Sequence, residues 1–446
     1  MLHDLLRSGQ LQAAVSWVLR EHRDNHDRYG ELFEPLRRHG PASDARETAE
    51  YLAMYLLIAG DHVGARLAFS LTFPEAGTSK LIRTAHVVAR AYDCFQFEPL
   101  AEECQRRFAL EPLIVTWSKS AQASAERHRT PPCMARLGRG SVFGLSYIPV
   151  TEDGRTCFSG FTHNPDNPRN IRNSETVSTI PALSSNAIMG CFDGSDQYDD
   201  GVLIGNHENF GHWLLNHLAR LALVESAPGL KGMPLVVGSN ISQTQIECLE
   251  RFGYQNSDLI RLRKGYLARF NMLWAPMMPF CSSSGLLYWS PHIIDFLRTR
   301  LGVRPPSSSR SRRRLYVSRR SSRWRRVLNE NEIVKSLAKW GFEVIDPGGL
   351  TLAEQIELAG NAEVIMGAIG AGMTLLIFAP SDATIIELKS HEIIMDINPA
   401  LCRQIGQRYV PLAVTAVTSG QDQLHFDVIV ASKAVEEALD SIGLTH

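Results

Sequence analysis

The stretch that most narrows the folds open to this chain runs from residue 315 to residue 388. Four short β-like segments, at 315–318, 342–346, 363–367 and 384–388, alternate there with three helix-like segments. That is the pattern of a parallel sheet wound with crossover helices. The helix ends are marked. Asn329 with Glu332, and Thr351 with Glu354, stand at capping-box spacing before apolar-periodic runs, while Gly341 and Gly360 stand where those helices should stop. Ligands of such a sheet collect beyond the carboxyl ends of its strands. The rule selects Ser318, Arg319 and Arg320, then Asp346 and Pro347, the glycine turn from Gly367 through Gly370, Ala371, Gly372 and Met373 to Thr374, and finally Glu387.

A chain of 446 residues has room for two or three domains with sizeable cores. Its net charge of -1 gives no global attraction to a polyanion or a membrane surface, so a basic site has to be local. The eight cysteines are scattered without a C-x-x-C pair and read as thiols of a reducing compartment; no zinc-ligand spacing is present. Residues 1–9 lack the basic and apolar regions of a signal peptide. The longest uncharged apolar run, 364–379, holds three glycines and falls short of the roughly 18 apolar residues of a membrane span. These features predict a cytoplasmic chain without a transmembrane segment.

Residues 1–130 predict an all-α N-terminal domain. Helical periodicity runs over 5–19, 49–59, 62–71, 84–95 and 99–108. The pieces 56–65 and 90–99 are offset by 34 residues, which fits stacked hairpins of tetratricopeptide type beside the simpler expectation of a helical bundle. Such a domain would either dock a protein partner or cover the rest of the molecule. A shift to Arg, Pro and Gly around 124–140 marks a boundary. The acidic run 193–200 reads as a solvated loop. A first α/β domain is expected over 137–302, with strands at 202–205, 234–238, 259–262 and 270–275 and helices at 210–224, 242–252 and 291–301. Residues 303–311 read as a linker, and a second α/β domain follows over 312–446. Two such domains imply a cleft between them.

Four groups of residues carry chemistry. Glu208, Asn209 and His212 follow the strand at 202–205 and open the next helix, at a ligand edge. An imidazole there suits proton abstraction from an alcohol, because its ordinary pKa lies near neutrality. The spacing from His207-Glu208 to His212 is one residue longer than H-E-x-x-H, which excludes the metalloprotease motif, and His217 reads as a structural residue. The second group is nine arginines between Arg310 and Arg326. Arg319 and Arg320 follow a buried strand directly, and a guanidinium can grip a diphosphate with two parallel hydrogen bonds. A nucleic-acid site is the competing reading, weakened by the neutral chain and by only Tyr316 and Trp324 as interleaved aromatics. The third is the turn itself, where Gly370 and Gly372 admit a phosphate close to the backbone and Thr374 adds a donor at a helix start. Glu387 is placed to accept from a ribose hydroxyl.

The ordered set N-F-G-H-W-L-L-N-H-L-A-R from Asn209, L-Y-V-S-R-R from Leu315, R-V-L-N-E from Arg326, G-F-E-V-I-D-P from Gly341, L-A-E-Q from Leu352, A-E-V-I from Ala362, G-A-G from Gly370, F-A-P from Phe378 and I-E-L from Ile386 resembles glycosyltransferase family 61 over about 202–388. The resemblance implies a GT-B pair of Rossmann-like domains facing across a cleft, with the donor on the C-terminal one. It also implies inverting transfer, without a metal or other cofactor, from a UDP-linked sugar such as xylose or N-acetylglucosamine. The acceptor would be a glycan or glycolipid of surface polysaccharide, met in the cytoplasm or at the inner face of the membrane. Its implied donor-side residues are Ser318, Arg319, Arg320, Arg326, the turn Gly370–Thr374 and Glu387. Three positions depart from the pattern: Ile369 replaces a usual histidine, Asn216 a frequent acid and Ala219 a frequent proline. An amide at 216 leaves His212 as the base candidate. The isoleucine leaves a second outcome open, a nucleotide-sugar-binding protein of the same fold without turnover.

Overall fold

The computed structural model describes residues 133–152 and 194–444, apart from 228, 277–279, 284–285, 290, 305–311, 392–396 and 418–424, together with strand segments at 85–91, 97–99, 111–113, 155–156, 177–180 and 187–192. The helices expected over 5–19, 49–59 and 62–71 lie outside the described residues. The helix expected over 84–95 is corrected. Ala85–Ala91 is a strand, antiparallel to Ala187–Phe192 and parallel to Arg155–Thr156. Two adjacent β-branched residues, Val87 and Val88, favour the pleated backbone, and the apolar partner strand lies about a hundred residues away, beyond the reach of local periodicity. Phe97–Pro99, where the next helix was expected to begin, is also a strand.

The chain forms two compact units, Met1–Phe97 with Ala135–Leu203 and Arg261–Ala275, and Glu98–Met134 with Ile204–Ile260 and Pro276–His446. The stretches on both sides of 303–311 therefore belong to one unit. In the first unit Gly194–Leu203 runs parallel to Tyr266–Pro276, which is antiparallel to Gly140–Phe143. This overturns the loop expected over 193–200. The acids fit a strand because none of Asp196, Asp199 and Asp200 is buried and two find partners beside it: Arg263 binds both oxygens of Asp196, and Asn271 donates to Asp199 at 3.0 Å.

The second unit holds the wound sheet. Among its elements, in chain order, are strand β1 (Leu235–Gly238), helices α1 (Gln243–Arg251) and α2 (Pro291–Leu301), then β2 (Arg313–Val317), α3 (Glu330–Lys339), β3 (Phe342–Ile345), α4 (Leu352–Gly360), β4 (Ala362–Ala368), β5 (Thr384–Lys389), α5 (Ile397–Ile405), β6 (Arg408–Ala413) and α6 (Ser432–Ser441). Strands β2 to β6 form one parallel sheet in the order β3-β2-β4-β5-β6. The chain thus winds from β2 to β3 on one side, then crosses back to β4 on the other. The switch falls between β2 and β4, and the carboxyl ends of strands at such a switch are where ligands of wound sheets collect.

Side-chain alternation explains why the sheet is covered on both faces. Tyr316, Val364, Met366, Ala368, Ile386, Leu388 and Leu412 join one core cluster with Ile333 and Leu337 of α3 and Val435 and Leu439 of α6. Leu315, Val317, Ile365 and Ile385, the alternate set, are equally buried. The capping boxes at Ser242–Gln245 and Thr351–Glu354 form as their spacing predicts. That at Asn329 does not: its side chain makes no cap bond and instead pairs with both backbone groups of Val430, at 2.7 and 3.1 Å. A backbone segment presented from the far end of the chain outcompetes the local cap.

Candidate functional site

The site is built where three loops of the second unit converge. The first follows Ile204. Gly205 takes φ +67°, a left-handed turn that favours glycine. Asn206 is buried; its Oδ1 accepts from Gly238 N at 2.7 Å, and Gln245 Nε2 donates to the carbonyl of His207 at 2.6 Å. The end of β1 and the start of α1 therefore hold the loop in place. Asn209 then caps the helix, its Oδ1 accepting from Gly211 N at 2.9 Å and His212 N at 3.3 Å.

The helix itself is irregular. A single turn at Phe210–His212 gives way to a π-helical turn at Trp213–His217, a 3-10 turn at Leu218–Arg220 and an α-helical end at Leu221–Ser226. π-Turns recur at functional sites because they shift side chains out of the α-helical register. Here the shift brings the rings of His207 and His212 edge to face at 4.7 Å and leaves those of His207 and His217 at 6.4 Å. His217 is buried and bonds the Ile204 carbonyl at 2.9 Å, the structural role expected of it. His212 is half-buried, with Asn216 Nδ2 3.3 Å from its Nδ1. Glu208 is exposed. Burial pushes the His207 imidazole below its ordinary pKa of 6.5, against the opposing charge of Glu208. Among the described residues no group of three His, Cys, Asp or Glu side chains is arranged to hold a metal ion.

The second loop leaves β4. Ile369 is buried, its amide donating to the Leu388 carbonyl. Gly370, Ala371 and Gly372 are half-exposed, whereas Met373 and Thr374 are buried. Ala371–Phe378 is a 3-10 helix whose last carbonyls are taken by Arg298 of α2 and by Gln407 Nε2. Close packing dictates the glycines. A Cβ on Gly372 would lie 2.9 Å from Val317 Cγ1, and one on Gly370 would collide with the Arg319 guanidinium. Gly211 meets the same helix from the other loop, since a Cβ there would lie 2.7 Å from Thr374 Oγ1. The turn that carries His212 and the turn that carries Gly370 are thus in contact, and both lie at the switch point of the sheet.

The third loop, after β2, holds the arginines, and the structure separates them. Arg319 is buried and turned inward, donating from Nε to the Arg325 carbonyl at 3.2 Å and from Nη2 to that of Trp324 at 2.8 Å. Arg320 points away, bound to Glu330 and to Asn331. Arg326 is exposed and pairs with Asp427 through its amide and its guanidinium. Ser318 is buried and donates to Glu330. Sequence reasoning missed Glu330. This buried carboxylate at the start of α3 accepts from Tyr316, Ser318, the Arg319 amide and Arg320, and so fixes the whole exit of β2. Glu387 is also buried, its oxygens accepting from Asn398 Nδ2 and Tyr409 Oη. Of the residues selected by the sequence, then, Asn209, His212, Arg319 and Gly370–Thr374 are brought together, while Ser318, Arg320, Arg326 and Glu387 bond to the protein interior or to neighbouring loops.

Residues 210–386 match the model of the family described as glycosyltransferase 61. This segment is similar to glycosyltransferase family 61. The matched range opens on the helix that Asn209 caps and closes one residue before Glu387, so it contains all three loops apart from that cap and the residues before it. The chain is also similar to curated proteins named EGF domain-specific O-linked N-acetylglucosamine transferase. That of Drosophila melanogaster is 32% identical over 156 residues, covering 34% of this chain and 28% of the relative. Those of Rattus norvegicus and Gallus gallus are 28% and 29% identical over 123 residues, covering 26% of this chain and 23% and 22% of the relatives. The similarity thus spans between 22% and 28% of these relatives' own length. Among the described residues no helix is long and apolar enough to cross a membrane.

Proposed function

We propose that this chain is an inverting, metal-independent glycosyltransferase of GT-B type. It moves a sugar from a UDP-linked donor to a hydroxyl of a glycan or glycolipid acceptor, in surface polysaccharide assembly at the cytoplasmic face of a membrane. The observation that carries the reading is the contact between Gly211 and Thr374, which joins the imidazole-bearing turn to the glycine turn at the switch point. The names of the relatives make UDP-N-acetylglucosamine the first donor to test.

In this reading His212 removes the proton of the acceptor hydroxyl as its oxygen attacks the anomeric carbon. The bond from that carbon to the diphosphate oxygen breaks, and the electron pair leaves with the diphosphate. General-base catalysis of this kind contributes roughly 10²–10⁴ in rate. Arg319 and the amides at Ala371 and Gly372, at the positive end of the 3-10 helix, stabilise the leaving charge, the work that a divalent cation does in other enzymes. His212→Ala should abolish transfer while UDP still binds, read by radiolabelled transfer beside calorimetry, and chelator should change neither. Full turnover by that variant removes His212 from the role.

The buried, apolar Ile369 favours a second reading, a binding protein of the same fold without turnover. Ligand stabilisation by a UDP-sugar with neither transfer nor hydrolysis would select it.

A further inference from the structure

His207 stands two residues before the pattern that opens on Asn209, yet the turn carrying that pattern hangs on its ring. The backbone nitrogen of Asn209 lies 2.9 Å from His207 Nδ1. A backbone amide can only donate, so Nδ1 accepts, and a neutral imidazole that accepts there carries its one hydrogen on Nε2. Geometry therefore fixes the tautomer. Asn209 passes the constraint on, because its Oδ1 accepts from Gly211 N and His212 N. A chain of hydrogen bonds thus runs from the His207 ring to the backbone of His212. The same ring packs edge to face against that of His212, with centroids 4.7 Å apart. From α1, Gln245 Nε2 holds the His207 carbonyl at 2.6 Å, which anchors the ring from behind.

We infer that His207 is the positioning residue of the imidazole-bearing turn, a neutral ring whose Nδ1 holds the Asn209 amide and whose packing sets the His212 ring beside it. Its part in catalysis rests on the transferase reading, whereas its tautomer and its hold on Asn209 do not. A proton on Nδ1 would replace the acceptor with a second donor facing the amide. It would also set a cation against the ring that has to take the proton of the attacking hydroxyl. Both changes oppose the base, so the site works only while His207 is neutral. The surroundings favour that state. Burial pushes the imidazole below its ordinary value, against the charge of Glu208 on its own loop. The titratable groups beside it on the following helix are the rings of His212 and of His217, the latter 6.4 Å away, and α1 presents the uncharged Gln245. His217 is held in the opposite sense: its Nδ1 meets the Ile204 carbonyl at 2.9 Å, which requires a hydrogen there.

A ring that only fills space is the alternative to be separated. Asparagine carries an oxygen on Cγ where histidine has Nδ1, so His207→Asn keeps an acceptor for the Asn209 amide that takes up no proton, whereas His207→Leu keeps bulk and loses the acceptor. The assay is UDP release from UDP-N-acetylglucosamine by the full chain, with unfolding temperature read on each variant. His207→Leu should lower kcat by roughly tenfold or more with KM nearly unchanged, the scale of a displaced catalytic group. His207→Asn should recover most of that loss. On the acid side, log kcat/KM should approach a slope of two in the wild type, where both rings have to be free of an added proton, and of one in His207→Asn. A space-filling ring predicts the reverse order, with leucine tolerated better than asparagine and the slope unchanged, and that result overturns the inference. Nuclear magnetic resonance of the full chain labelled at its histidine ring nitrogens, with His207→Asn identifying the signal, reads the tautomer without any turnover. It should show hydrogen on Nε2 at neutral pH; hydrogen on Nδ1 overturns the inference. A chain with the expected tautomer that releases no UDP sinks the transferase reading and leaves the hold on Asn209 standing. Turnover by a chain with the other tautomer does the reverse.

Discussion

At position 216 an amide stands where its nitrogen approaches His212 Nδ1 at 3.3 Å. An amide can turn either its NH₂ or its oxygen to that ring nitrogen, and only the oxygen fixes the tautomer with Nδ1 protonated and Nε2 free to accept. A carboxylate offers oxygen alone. Asn216→Asp should therefore raise kcat several-fold at neutral pH with KM nearly unchanged, measured as initial transfer rates; a fall in kcat would show that His212 works in the other tautomer. His207 supplies a stability test at the same scale. Its folded pKa lies below the ordinary 6.5, so as pH falls through that value the unfolded chain takes up a proton that the folded one refuses. Stability should drop as pH falls from above 6.5 toward 5, and His207→Gln should flatten that slope in urea titrations. His212 was legible in the sequence because it follows a strand and opens a helix. Glu330 was not, because the Tyr316, Ser318, Arg319 and Arg320 groups it gathers lie ten or more positions before it.

Among the elements, the 3-10 helix at Ala371–Phe378 owes its position to the absence of side chains. Gly372 meets Val317 of β2, and Gly367 meets both Val317 Cβ and Met373 Sδ within 2.9 Å of where a Cβ would sit. Gly372→Ala should cost about 1–3 kcal/mol by overpacking. Val317→Ala in the same chain should recover part of that loss, giving a favourable coupling in a double-mutant cycle of thermal unfolding. Simple additivity would place the clash elsewhere. The glycines were visible in the sequence and were read there as an approach for phosphate; their packing role needed the neighbouring strand. The helix after Asn209 was legible in extent, while its π-turn at Trp213–His217 was not, since apolar periodicity does not separate the i to i+5 from the i to i+4 pattern over a single turn.

Across the whole molecule, both units carry arginine–carboxylate pairs that respond to acid. The hydrogen bond from Arg263 holds Asp196 below its ordinary 3.8, and that from Arg312 does the same for Asp382. Each carboxylate is charged in the fold where the unfolded chain has begun to protonate. The stability they add is present above 3.8 and is lost as pH falls through their folded values. Arg263→Gln and Arg312→Gln should each make the acid unfolding profile shallower below that pH, by fluorescence and circular dichroism. A profile unchanged in both would show that these exposed pairs contribute nothing measurable.

By itself the sequence determined the period of the elements from 313 to 413, two of the three capping boxes and the residues that end each strand, because all of these depend on neighbours a few positions away. It also carried the family 61 pattern. Only the tertiary structure decided the strand order, and with it which strand ends share a crevice. The crossover from β3 to β4 sets Arg319 beside Gly370 and leaves Glu387 inside, bound to Asn398 and Tyr409. It likewise decided that Ala85–Ala91 extends along Ala187–Phe192 and that Asn329 bonds Val430 in place of its own helix. In each case the deciding partner is about a hundred residues away along the chain or is selected by sheet order, and local spacing carries no record of either.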